Sequence, residues 1–199
     1  MSRIPRWAAI GLAVAALAGW AALWLPPNAG HPVPGTVQVG GAFSLTDHTG
    51  RPVTDATWHG RWMLVYFGYT TCPDVCPTEL QTIAAALDLL GPQGKAVVPL
   101  FITVDPERDT PPHLAEYVKL FDDRLVGLTG TPEQIATVTR AYRVYYAKVT
   151  PKDSTAYMMD HSSFVYLIGP DGTLRALLRP GASAQDLAQA VRSRLPAAS

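Results

Sequence analysis

Cysteine is nearly missing from this chain: 199 residues hold two. That excludes a scaffold built on several disulfides, and it leaves a four-ligand zinc site short of thiolates. Net charge is missing as well, because 16 Lys and Arg residues balance 16 Asp and Glu. There is no basic run or patch, so nucleic acid is not an expected partner. No internal repeat is visible. Basic residues are also absent from one long stretch, with no Lys or Arg between Arg6 and Arg51.

That last absence bears on compartment. Trp7 to Leu25 carries no charge and follows Arg3 and Arg6. As a helix it is about 28 Å long, close to the thickness of a hydrocarbon core. A long cleaved signal peptide and a buried helix are the alternatives. The run ends in Trp24-Leu25-Pro26-Pro27 without a small-residue cleavage site, and its length exceeds the usual signal core of about 7–15 residues. Residues 1–25 are therefore expected to form an N-terminal transmembrane helix. The positive residues before it predict a cytoplasmic N-terminus and a domain on the outer, in a bacterium periplasmic, side of the inner membrane. Residues 26–38, rich in Pro and Gly, read as an extended linker that includes His31.

The remainder, residues 39–196, is long enough to bury a core without staples. Phe43–Thr46 and Arg51–Thr54 read as a hairpin around Gly50. Trp62–Phe67 is an apolar run expected to be a buried strand. Thr78–Leu90 follows as a helix, with Leu80, Ile83, Ala84, Leu87 and Leu90 on one face and a possible capping box from Thr78 to Gln81. Val97–Val104 reads as a second buried strand, with Pro99 marking an edge or bulge near its start. The pattern continues with a loop over Asp105–Thr110 and a helix through Phe121, with Asp109 or Thr110 as its cap. A strand over Leu125–Thr129 and a helix from Thr131 to Tyr142 come next. A strand is expected at Val144–Val149, a polar mobile segment at Thr150–Asp160, a hairpin at Ser163–Leu178 and a closing helix at Ala184–Leu195. Strands alternating with helices imply a layered α/β fold with a central sheet. His48 and His59 fall in turn-like surroundings and read as surface.

The two cysteines, Cys72 and Cys76, stand where the first buried strand hands over to a helix. A thiolate near a helix N-terminus is stabilised by free N–H groups and the helix dipole. If this loop is helical, the four-residue spacing puts both sulfurs on one face. The pair then has three readings. It is a dithiol–disulfide couple, half of a soft metal site, or a stapling disulfide around a loop too short to contribute much. A soft ion such as copper needs a third ligand from elsewhere, and imidazole suits it. Each of the five histidines is a candidate. His161 stands out because it lies just before a strand, where a layered fold can bring it to the cysteine loop. Asp160 is a candidate orienting group or a turn acid, and Met158 and Met159 read as packing rather than ligands.

Phe67-Gly-Tyr-Thr-Thr-Cys-Pro-Asp-Val-Cys-Pro77 resembles the signature of the Sco/SenC family. Those proteins are thioredoxin-like copper chaperones of cytochrome c oxidase assembly. Thr103–Thr110 resembles the family's second motif and Asp160-His161-Ser162 its third. The resemblance implies a thioredoxin-like copper-binding domain over residues 39–196, in which Cys72, Cys76 and His161 bind one copper ion, Cu(I) or Cu(II). It implies delivery to the binuclear copper site of cytochrome c oxidase subunit II, with other periplasmic copper carriers or thiol reductants as further partners. A thiol-disulfide oxidoreductase using Cys72 and Cys76 on that same target is the alternative. No chemistry is assigned to Asp105–Thr110, and Thr150–Asp160 is a hypothetical gate beside His161.

Overall fold

The computed structural model describes residues 39–152 and 156–195. The expected anchor (1–25) and linker (26–38) lie outside them, and no helix among the described residues is long and apolar enough to cross a membrane. The chain opens with the hairpin β1 (Ser44–Asp47) and β2 (Pro52–Thr54). Next come β3 (Trp62–Gly68), α1 (Val75–Leu90), β4 (Val97–Thr103), α2 (Pro111–Lys119), β5 (Val126–Thr129) and α3 (Pro132–Ala141). The ribbon β6 (Tyr146–Val149) and β7 (Met158–His161) follows, then the hairpin β8 (Val165–Ile168) and β9 (Leu174–Leu178), and finally α4 (Ala184–Arg192).

Seven strands form one sheet in the order β2-β1-β5-β4-β3-β8-β9. The middle trio is parallel and the flanking pairs are antiparallel. Every residue of β3 and β4 is buried, which is why their sequences read as unbroken apolar runs rather than alternations. Successive side chains of β3 point to opposite faces. Tyr66 stacks with Phe101, which meets Tyr117 of α2, whereas Phe67 and Tyr166 pack on Tyr142 at the end of α3. Helices therefore cover both faces. Leu80, Ile83 and Leu87 of α1 are fully buried, each removing side-chain area from water worth about 1.5–3 kcal/mol. Pro99 sits where β4 has β3 as its only partner, since pairing with β5 begins at Leu100, so its missing N–H costs no ladder bond.

Several expectations change. Helix α1 begins at Val75 rather than Thr78, which places Cys76 in its first turn. Thr78 makes no box with Gln81; its hydroxyl donates to the Asp74 carbonyl at 3.0 Å. Capping boxes do form at Thr131–Gln134 and Ser183–Asp186. Thr110 caps α2 by backbone geometry alone. His48 is not a free surface group: its Nδ1 accepts the Gly127 N–H at 3.1 Å and ties the first hairpin to β5. The stretch before His161 is not loop throughout, because Met158–His161 is strand β7, paired residue for residue with β6.

Candidate metal centre

Strand β3 ends at Gly68, and the chain turns through Tyr69–Asp74 before α1 starts. The Cys72 N–H donates to the Tyr69 carbonyl at 3.3 Å, folding the turn back on itself. Cys72 thus precedes the helix, and the two sulfurs do not share a helical face as the spacing alone suggests. Its Sγ instead accepts the Cys76 backbone N–H at 3.5 Å. Asp74, the residue in the cap position, makes no side-chain cap bond, so the Cys72 sulfur satisfies one of the helix's free donors. The arrangement favours an anion there. A hydrogen bond from the Cys76 thiol, together with the backbone N–H groups of Asp74 and Cys76, outweighs burial and draws the Cys72 thiol down to about 3. The same bond, together with burial, pushes the Cys76 thiol far up. Among these two, Cys72 is the thiolate and Cys76 holds the proton.

Cys76 is fully buried and Cys72 only partly so. Gly68 makes room for the inner sulfur. A Cβ at that position would lie 2.8 Å from Cys76 Sγ and 2.9 Å from the Phe101 ring, so no side chain fits.

The third group arrives on β7. His161 Nε2 lies 3.5 Å from Cys76 Sγ, and one donor atom from each of Cys72, Cys76 and His161 falls within 4.8 Å of the others. His161 Nδ1 is 3.1 Å from the Ser162 carbonyl, an acceptor only, so Nδ1 carries the proton and Nε2 presents its lone pair to the sulfurs. That carbonyl, not Asp160, orients the ring. Tyr66 and Tyr69 set their rings edge-on to the imidazole at 6.3 and 5.8 Å. Two sulfurs and one neutral imidazole make a soft, low-coordinate donor set that suits copper better than zinc.

The other described histidines stay out of this group. His48 bonds Gly127, His59 lies 3.6 Å from the Asp55 carboxylate, and His113 Nε2 meets the Thr70 hydroxyl at 2.9 Å. His31 lies outside the described residues. Met159 is buried as packing and Met158 is exposed.

Sequence reasoning missed the loop that holds the site. Asp109, fully buried, accepts from Thr70 Oγ1 and Thr103 Oγ1 at 2.6 Å each and from Thr70 N at 3.0 Å. Thr70 lies two residues before Cys72, so Asp109 fixes the cysteine turn. Asp105 and Arg108 bind Tyr157, four residues before His161. The motif Thr103–Thr110 was the available signal, though nothing in its composition reveals which distant groups it meets.

Comparison with known proteins bears on the same residues. The SCO1/SenC family model matches residues 32–196. The chain belongs to the SCO1/SenC family. It is 44% identical over 164 residues to the protein sco1 of Schizosaccharomyces pombe, covering 80% of this chain and 62% of that one. It is 49% identical over 140 residues to the human mitochondrial SCO1 homolog, covering 69% and 46%. The chain thus spans about half the length of these relatives. Among solved structures, Bradyrhizobium japonicum ScoI with copper bound superposes with a TM-score of 0.73 at 42% identity, covering 79% of this chain and 99% of that one. The layered α/β domain is accordingly the thioredoxin-like Sco fold.

Proposed function

We propose that this protein is a copper chaperone of cytochrome c oxidase assembly. It takes one copper ion on Cys72 Sγ, Cys76 Sγ and His161 Nε2 and passes it to the binuclear copper site of subunit II. The observation that carries this reading is the convergence of the three donor atoms within 4.8 Å, from a turn, a helix and a remote strand. ScoI of B. japonicum, a relative with the same fold, was solved with copper bound. The uncharged stretch Trp7–Leu25 anchors the chain in the inner membrane, and the linker holds residues 39–196 on the periplasmic side. Cys72 is partly open to solvent, so a recipient thiolate enters there first and the ligands are exchanged one at a time.

The test is metal analysis with absorption spectra of the reduced full-length protein beside His161→Ala. One copper per chain is expected for the first and a loss of affinity of at least about 100-fold for the second. Equal loading of both overturns the reading.

A second reading has its own support in the asymmetry of the two thiols. The half-exposed Cys72 thiolate attacks a disulfide of the target and one target sulfur leaves as thiolate. Cys76 then gives up its proton and attacks the Cys72 sulfur, releasing the reduced target and closing the Cys72–Cys76 disulfide. Two electrons pass to the target. His161 has no part in these steps, so His161→Ala abolishes copper loading while leaving disulfide reduction intact.

A further inference from the structure

His161 is presented by a ribbon whose packing on the core rests mainly on Met159, with Tyr146 partly buried beside it. The β6–β7 pair is a separate two-stranded sheet. A cavity of about 330 Å3, lined by Val104, Asp105, Ile135, Tyr146, Lys148 and Met159, lies where the ribbon meets the body of the domain. A two-stranded ribbon is marginal alone, so something else must fix its place.

Polar contacts span that junction. The Tyr157 hydroxyl donates to Asp105 Oδ1 at 2.9 Å. Arg108 Nε donates to Asp105 Oδ2, and Arg108 Nη1 donates to the Tyr157 carbonyl at 3.1 Å. The guanidinium lies over the Tyr157 ring at 3.9 Å, with Lys148 Nζ over the same ring at 4.1 Å. Lys148 also donates to Glu107 Oε2 at 2.8 Å. Asp105 is buried, and its own N–H donates to Thr103 Oγ1, the hydroxyl that Asp109 holds. One short loop therefore grips both arms of the site: the cysteine turn through Asp109 and Thr70, and the histidine ribbon through Asp105, Arg108 and Tyr157.

We propose that Asp105, Arg108 and Tyr157 are positioning residues for His161, a clasp that holds the imidazole over the sulfur pair and thereby sets how tightly the third ligand engages copper. The proposal rests on the copper-carrier reading above. None of the three touches the donor atoms; they act through the backbone of β7.

The experiment compares full-length wild type, Tyr157→Phe and Arg108→Lys, each also in a His161→Ala background. Cu(I) affinity is read by competition with a chromogenic chelator, and the Cu(II) form by its thiolate charge-transfer band and nitrogen hyperfine coupling. Both variants should bind Cu(I) about tenfold more weakly, as substitutions that misorient a ligand do, and shift the band and weaken the nitrogen coupling. In the His161→Ala background neither should change affinity further. In the copper-free protein, the Met158–His161 amides should exchange several-fold faster while β3 amides keep the wild-type rate. Unchanged affinity and spectrum, or an equal loss in the His161→Ala background, overturns the clasp. Exchange in the copper-free protein tests it separately from the carrier reading, since an unaltered β7 rate overturns the clasp whether or not wild type binds copper.

Discussion

The two arms of the candidate copper site are built differently. The cysteine arm leaves β3, a strand buried on both faces at the middle of a seven-stranded sheet, and ends with Cys76 sealed in the first turn of α1. The histidine arm leaves a two-stranded ribbon that borders a cavity and is held by one buried side chain, Met159, and by polar contacts to one loop. Core packing throughout fixes the first arm; a single buried methionine, hydrogen bonds and cation–ring contacts fix the second. The proposed carrier has to hold its ion and then let it go. Here the two demands are divided, with the sulfurs held by the core and the imidazole held by contacts that water competes for.

The difference between the arms is largest in amide exchange. Amides of β3 and β4 should open only with global unfolding, whereas those of β7 open locally, so the β7 amides should exchange at least about 100-fold faster. Equal protection erases the distinction between the arms.

Alkylation of the reduced protein probes the cysteine arm. An ordinary thiol loses about tenfold in rate for each pH unit below about 8.5. Cys72, drawn down to about 3, stays a thiolate above that pH, so its alkylation by iodoacetamide should change by less than about twofold between pH 5 and 8. A tenfold fall per unit would show that the helix mouth does not hold an anion.

Gly68→Ala attacks the packed arm directly. The new methyl has no space between Cys76 Sγ and the Phe101 ring, and the expected cost is about 1–3 kcal/mol in denaturant unfolding. A neutral result would mean that the packed arm yields as readily as the ribbon.

The smallest effect belongs to a control outside both arms. Burial pushes the Asp47 carboxyl up, but bonds from Thr49 and Arg51 outweigh it and bring it down to about 2. Its stabilisation is complete above the unfolded value of about 3.9 and is lost as pH falls toward 2, about 1–2 kcal/mol in all. Asp47→Asn should remove that acid-side slope in a urea titration and leave copper affinity unchanged.

The same division explains what the sequence made legible. Trp62–Phe67, Val97–Val104 and the apolar face of α1 show themselves because burial on both faces, or at helical spacing, leaves a pattern within a few neighbouring residues. The cysteine turn is legible as a motif, and His161 by its place in a third motif. Strand β7 is not, since four residues reading Met-Met-Asp-His alternate too briefly and carry no β-branched side chain. The roles of Asp105, Arg108 and Asp109 are hidden for a different reason: their partners Thr70 and Tyr157 lie 39 to 52 residues away, and paired polar groups at such separations leave no period. His48 reads as a turn residue because its acceptor nitrogen meets a backbone N–H 79 positions on.

Strand β8 carries one last consequence. It begins at Val165, locked between β3 and β9, only four backbone steps after His161. An extended chain covers at most about 3.6 Å per step, so the imidazole travels on a leash of about 14 Å anchored one strand in from the edge of the sheet. In the proposed carrier, the ion therefore stays at the rim of this domain however far the ribbon swings, and a recipient would have to bring its own empty site to that rim to collect it.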